Sequence, residues 1–315
     1  VTDAPPAHKS VFRGLLAHFA WEAILFLLVA VAAVGTFLRS EPGAYFWLAL
    51  ATAGVTASAL ALSFRTATPN LAVPSIAALT AAIYAVLSRE DWPGIAAGAI
   101  AILAAGVLGV LLGVVAGLTS APGWAVSLGG IAISSAVFMS LVGTRGVIVP
   151  AVGRPGTATA IGFMAIFVIG SLAGGVLFAI RAVRRTLSAN RVSEDPAHFR
   201  VKKLIGALAG FTGSSLLAAV AGLMMAVTQG GVFGNASWQP LLVAAAVVLM
   251  GGVSVFGRRG GIAGVVLATM LLAFLPMALG LEGPSEWRLF GLPAVFIFIG
   301  LIVGFALEKM GGRED

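Results

Sequence analysis

The chain has 315 residues, of which only 19 are Lys or Arg and 12 are Asp or Glu, while 59% are hydrophobic and the mean hydropathy is +1.05. A soluble domain carries about 25% charged and about 45–50% apolar residues, so this inventory excludes a water-exposed globule and places most of the chain in lipid. In such a chain the net charge of +7 and the pI near 10.8 are first a topology signal rather than a nucleic-acid signal, and the absence of cysteine removes disulfides, thiolate chemistry and Cys-ligated metals.

A hydrocarbon core about 30 Å thick takes roughly 20 apolar residues per helix. Runs of that kind, bounded by charge, Pro or polar clusters, predict an all-α polytopic membrane protein of about ten transmembrane helices. They are Leu15 to Leu38, Ala44 to Phe64, Asn70 to Ser88, Pro93 to Leu118, Pro122 to Val142, Thr157 to Ile180, Leu204 to Gln229, Gln239 to Phe256, Gly260 to Gly280 and Leu289 to Leu307. The first run continues past Ala30-Val31-Ala32 to Leu38, too long for the apolar stretch of a secretory signal, and reads as an uncleaved helix. The third opens on Thr68-Pro69-Asn70 and Pro74, and the eighth is short and ends in Gly257-Arg258-Arg259-Gly260, so these two are the least secure spans, with a complete helix and a broken or re-entrant one both open.

With the N-terminus inside and ten spans, 14 of the 19 basic residues fall on the inner side, leaving Arg39, Arg89, Arg145, Arg154 and Arg288 outside. The excess predicts that both termini are cytoplasmic. The chain then reads as one transmembrane domain over 1–315, with a cytoplasmic tail at 1–14, a cytoplasmic loop at 181–203 and a second tail at 308–315. A division into five plus five helices would make any internal repeat inverted, as in many transporters.

Enzyme chemistry is not indicated. His8, His18 and His198 are scattered, no serine sits in a nucleophile elbow, there is no His-Glu-x-x-His pair, and no lysine ends a phosphate-binding loop. If ATP drives this chain, a partner subunit binds the nucleotide, and no cofactor or metal is called for. Glu22 is the one acid inside a span, where a charge costs on the order of 3 kcal/mol. Near the helix start, beside Trp21 and four residues after His18, it reads as a structural or interfacial group paired with His18 rather than a coupling acid.

The loop at 181–203 holds seven basic groups together with Glu194 and Asp195. Arg181, Arg184 and Arg185 are a stop-transfer flank, whereas Asn190 to Phe199 has mixed charge and helix-start chemistry, with Ser193 ahead of two acids and Pro196. A short surface helix there, with Phe199 as an anchor in a partner's groove, stands level with plain topology.

Three stretches together resemble the ribose-type permease family of ABC importers, which includes nucleoside and branched-chain amino-acid permeases. Thr68-Pro69-Asn70-Leu71-Ala72-Val73-Pro74-Ser75 resembles the family's Gly-Ile-Asp-Leu-Ser-Val-Gly-Ser, with Asn70 and Pro74 replacing Asp and Gly. Pro122-Gly123-Trp124-Ala125-Val126-Ser127-Leu128-Gly129-Gly130 is similar to Pro-x-Phe-Ile-Val-Thr-Leu-Gly-Thr. Met250-Gly251-Gly252-Val253-Ser254-Val255-Phe256-Gly257-Arg258-Arg259-Gly260-Gly261 resembles Leu-Gly-Gly-x-Ser-x-x-Gly-Gly-Arg-Gly and is the most specific of the three. Order and spacing agree from about residue 63 onward.

The resemblance implies a permease in the cytoplasmic membrane that moves a small polar solute, a monosaccharide first, with nucleosides and branched-chain amino acids open. It implies as partners an ABC ATPase subunit, an extracytoplasmic substrate-binding protein, a second permease copy or paralogue and the lipid bilayer, with no nucleic acid. On this reading the substrate-path candidates are Asn70, Ser75, Trp124, Ser127, Ser254 and Phe256. The ATPase-coupling loop offers Asn190, Arg191, Glu194, Asp195, His198 and Phe199, with His198-Phe199 where the family has Gly-Ile. Two other classes remain: a ten-span secondary carrier, and a structural membrane subunit.

Overall fold

In a computed structural model of the chain, the described residues are 7–119, 121–143, 145–149, 155–180, 182–183, 187, 201–233, 238–255, 261, 263–281 and 286–310. They form ten long or medium helices and one short two-stranded ladder. The helices are α1 (Ala7–Arg39), α2 (Ala44–Arg65), α3 (Val73–Arg89), α4 (Gly94–Thr119), α5 (Gly123–Val142), α6 (Thr157–Ala179), α7 (Val201–Gln229), α8 (Gln239–Met250), α9 (Gly264–Ala278) and α10 (Glu286–Met310). Strand β1 (Val147–Ile148) pairs antiparallel with β2 (Gly231–Val232), tying the connection after α5 to the end of α7.

Seven of these helices are long and apolar enough to cross a membrane. The other three, α3, α8 and α9, have 17, 12 and 15 residues, which at about 1.5 Å per residue is less than a bilayer core about 30 Å thick. The chain is therefore a multi-pass helical membrane protein with seven helices of spanning length and three shorter apolar ones among the described residues. For the third and eighth, the sequence left a complete and a broken helix both open. The ninth, expected from Gly260 to Gly280, is shorter than its apolar run because helix begins only at Gly264.

Helix α2 is the centre of the bundle. Its residues enter two apolar cores, one formed with α3, α4, α5, α6 and α7 and the other with α1, α8, α9 and α10. Packing thus does not divide after the fifth helix, since α6 and α7 belong with α3 to α5 and α1 belongs with α8 to α10.

With lipid outside, helices gain little from the hydrophobic effect on association and rely on close backbone approach. The clearest case is Gly109, Gly113 and Gly117, one turn apart on α4, where an added Cβ would stand 2.8 Å from Ser215 Cβ, 2.8 Å from Leu208 Cα and 2.9 Å from Leu204 Cα on α7. Aromatic packing among Phe46, Trp47 and Phe274, at centroid distances of 5.2 to 5.8 Å, joins α2 to α9.

Helices α2 and α8 end in the same way. The α2 turn is closed by Ala67 N–H to Phe64 C=O at 3.0 Å and Thr68 N–H to Ser63 C=O at 2.9 Å, with Ala67 at φ +55°. The α8 turn is closed by Gly252 N–H to Leu249 C=O at 3.0 Å and Val253 N–H to Val248 C=O at 3.2 Å, with Gly252 at φ +75°. Both are Schellman caps, which satisfy the last carbonyls and turn the chain out of the helix.

Candidate functional site

A cavity of about 350 Å³ lies between α2, α3, α5, α7 and the start of α8. Its volume falls in the range of about 300–1,000 Å³ typical of small-molecule sites. The polar groups come from Thr52 and Thr56 on α2, Ser75 on α3, Ser135 on α5, Gln229 at the end of α7 and Gln239 at the start of α8. None of the described lining residues is charged. Thr52 and Thr56 donate their hydroxyl protons back to Leu48 C=O at 2.8 Å and Thr52 C=O at 2.9 Å, so they face the cavity with lone pairs free to accept. Apolar walls from Ile131, Phe138, Met225 and Trp238 complete an uncharged, amphipathic chamber.

Ser75 reaches this chamber because the break before α3 brings the helix start into the bundle rather than to its surface. Pro74 sits in the first turn of α3, where its missing N–H costs nothing. The break itself is an internal polar knot. Asn70 is fully buried; its N–H donates to Ser63 Oγ at 3.0 Å, its Nδ2 donates to Ser214 Oγ at 2.9 Å, and its Oδ1 accepts from Ala72 N–H at 3.1 Å. Thr66 Oγ1 and Thr68 Oγ1 are 2.8 Å apart. These bonds leave Asn70 committed to holding α2, α3 and α7 together, away from the chamber wall.

The other expected path residues separate. Trp124 is 53% exposed at the start of α5 on the outer face of the bundle, an anchoring position for an indole. Ser127 is buried and donates to Trp124 C=O at 2.7 Å. Ser254 donates to Glu308 Oε1 at 2.6 Å, joining the break after α8 to the end of α10. Phe256 and the loop residues Asn190, Arg191, Glu194, Asp195, His198 and Phe199 lie outside the described residues. Of the described candidates, only Ser75 lines the cavity.

The break between α8 and α9 carries a second polar constellation. Trp21 Nε1 donates to Met250 C=O at 2.9 Å, and Glu22 Oε1 accepts from Ala263 N–H at 3.1 Å. His18 Nε2 stands 3.4 Å from the same carboxylate oxygen, the i, i+4 pairing expected from the sequence. The side chains of His18 and Glu22 are only 11% and 12% exposed, so the pair points into the protein rather than toward the membrane surface. Arg65, read from sequence as a loop cation, is the last residue of α2 and only 8% exposed. Its guanidinium donates to Gly261 C=O and lies 5.7 Å from the centre of the Phe178 ring on α6.

The chamber residues Thr52, Thr56, Ser135 and Gln229 were not legible as a group. They are small or neutral side chains on three helices, and only Thr52 and Thr56, at i and i+4, share a face recognisable in the sequence. Arg65 had a weak signal: a basic residue immediately after an apolar run looks the same whether it caps a helix into water or folds back beneath it. No family model matches the chain, and comparison with curated proteins and with solved structures finds no match.

Proposed function

We propose that this chain is the membrane-spanning subunit of an ABC importer, passing a small uncharged polar solute across the cytoplasmic membrane while a separate ATPase supplies the energy. The observation that carries the reading is the uncharged chamber beside a helix break, with hydroxyl and amide groups from α2, α3, α5, α7 and α8 around about 350 Å³. A charged solute would enter such a chamber without a counter-charge, which is costly at low dielectric, whereas hydroxyl-bearing solutes find donors and acceptors along its walls. The three sequence stretches support the importer family, and the basic bias supports a cytoplasmic Arg65 end, where the 181–203 loop would meet the ATPase. An extracytoplasmic binding protein would deliver the solute to the opposite end, and a second permease chain would complete the assembly. A monosaccharide is the first choice of solute.

The test is ATP-dependent uptake in proteoliposomes containing the chain, its ATPase and its binding protein. Uptake that persists when the ATPase is omitted overturns the proposal. Ser75→Ala and Gln229→Ala are expected to lower uptake about tenfold each, the equivalent of one net hydrogen bond of about 1.4 kcal/mol, without changing the yield of assembled protein.

The buried His18, Glu22 and Arg65 groups favour one alternative, a ten-span secondary carrier. Loss of transport on adding an uncoupler, with ATP held constant, would select it.

A further inference from the structure

The segment joining α8 to α9 is fastened at four described points, and all four fasteners come from other helices. Trp21 of α1 holds the carbonyl of Met250, Glu308 of α10 holds Ser254, Arg65 of α2 holds the carbonyl of Gly261, and Glu22 of α1 holds the amide of Ala263. Between these points the backbones of Gly251 and Gly264 touch, with a Cβ on Gly251 calculated at 2.8 Å from the carbonyl carbon of Gly264. A helix start and a helix end therefore meet with no side chain between them. Their exposed amides and carbonyls, which water would otherwise satisfy, are taken by long side chains reaching in.

Three of the fasteners, Glu22, Arg65 and Glu308, are ionisable, and Glu22 and Arg65 are little exposed, a large cost inside an apolar bundle unless each charge finds compensation. Glu22 finds it in Ala263 N–H and in His18; Arg65 finds it in the Gly261 carbonyl and the Phe178 ring face. Shorter apolar side chains would pack the same space more cheaply, so the charges are placed to grip backbone across helices. Arg65 also touches both the break and the last turns of α6, and the 181–203 segment follows α6 in the chain.

We propose that Arg65 and Glu22 form a charged latch that holds the α8–α9 break shut, and that Arg65, seated on Phe178, is the positioning residue through which movement of α6 reaches the break. The coupling role rests on the permease reading above. The latch itself does not.

The chain contains no cysteine, so single cysteines report directly on local opening. The measurement is the rate at which a soluble maleimide labels Val253→Cys in the full-length, detergent-solubilised chain. Val247→Cys on α8 serves as the buried reference, and Glu41→Cys, in the exposed α1–α2 connection, as the freely labelled one. Arg65→Met and Glu22→Gln are each expected to raise labelling at position 253 at least fivefold and to leave position 247 protected. Phe178→Ala, which leaves both charges in place, is expected to raise it at least twofold. Arg65→Lys, which keeps the charge but loses the planar grip, should fall between wild type and Arg65→Met, and it substitutes if the methionine variant fails to assemble.

Unchanged labelling at 253 in the Arg65 and Glu22 variants, or an equal rise at 247, overturns the latch. Wild-type labelling in Phe178→Ala overturns the route through α6. Failure of ATP-driven uptake in the earlier experiment would remove the permease reading while leaving these labelling results intact.

Discussion

The two helix breaks solve the same problem with different materials. Both follow a Schellman cap on a helix of the central bundle, and both precede one of the shorter apolar helices. The α2–α3 break is closed from within, by Ser63, Thr66, Thr68 and Asn70 of its own segment with Ser214 the main outside contributor. The α8–α9 break supplies bare glycine backbone and borrows Trp21, Glu22, Arg65 and Glu308 from elsewhere. A break closed mostly by its own residues depends less on its neighbours, whereas a break gripped by other helices changes state when they shift. The contrast assigns the first break to shaping the chamber wall around Ser75 and the second to responding to motion.

The largest effect that tests this contrast is at Asn70. Asn70→Leu removes both side-chain hydrogen bonds at a fully buried site and strands the Ala72 amide, so a loss of about 3 kcal/mol is expected, read as a lowered unfolding midpoint in detergent. A loss below about 1 kcal/mol would show that the first break is not self-supporting. Next comes Gly264→Ala, whose new methyl would collide with the Gly251 carbonyl. It is expected to cost about 1–3 kcal/mol and to open Val253→Cys to maleimide, because the overpacked backbones must separate.

The smallest effects compare the two caps directly. Gly252→Ala puts a side chain at φ +75° and is expected to cost about 1 kcal/mol. Ala67→Gly relieves the matching residue at φ +55° and is expected to be neutral or to stabilise by up to about 1 kcal/mol, the lost backbone strain being partly offset by greater freedom of the unfolded chain. If both substitutions shift the unfolding midpoint in the same direction, the two turns are not energetically equivalent and the comparison fails.

Much of the helical layout was readable in the chain because its signals are local. Apolar runs end where Arg39, Arg65 and Arg89 appear, and restart after Pro93, Pro122 and Gly156, so the observed helices begin and end within a few residues of those marks. The eighth helix shows where that reading fails. Val253-Ser254-Val255 is apolar enough to prolong the run, yet the chain leaves the helix at Gly251-Gly252, where the left-handed turn costs a glycine little. Among the candidate path residues, Ser75 could be placed because it follows a break marked by Pro74. Asn70 looked equally exposed to a path, but its neighbour Ser214 lies 144 residues away and turns it into a staple.

The sequence by itself determined that the chain is a helical membrane protein and where most helices start and stop. Those properties follow from residue counts and from turn chemistry acting over a few residues. Only the tertiary structure decided that Thr52, Thr56, Ser75, Ser135 and Gln229 share one chamber, and that His18, Glu22 and Arg65 converge on glycine backbone near residue 261. Hydrogen bonds and cavities depend on atoms a few ångströms apart in space, and in a bundle whose helices touch through glycine those atoms come from residues up to 241 positions apart in the chain.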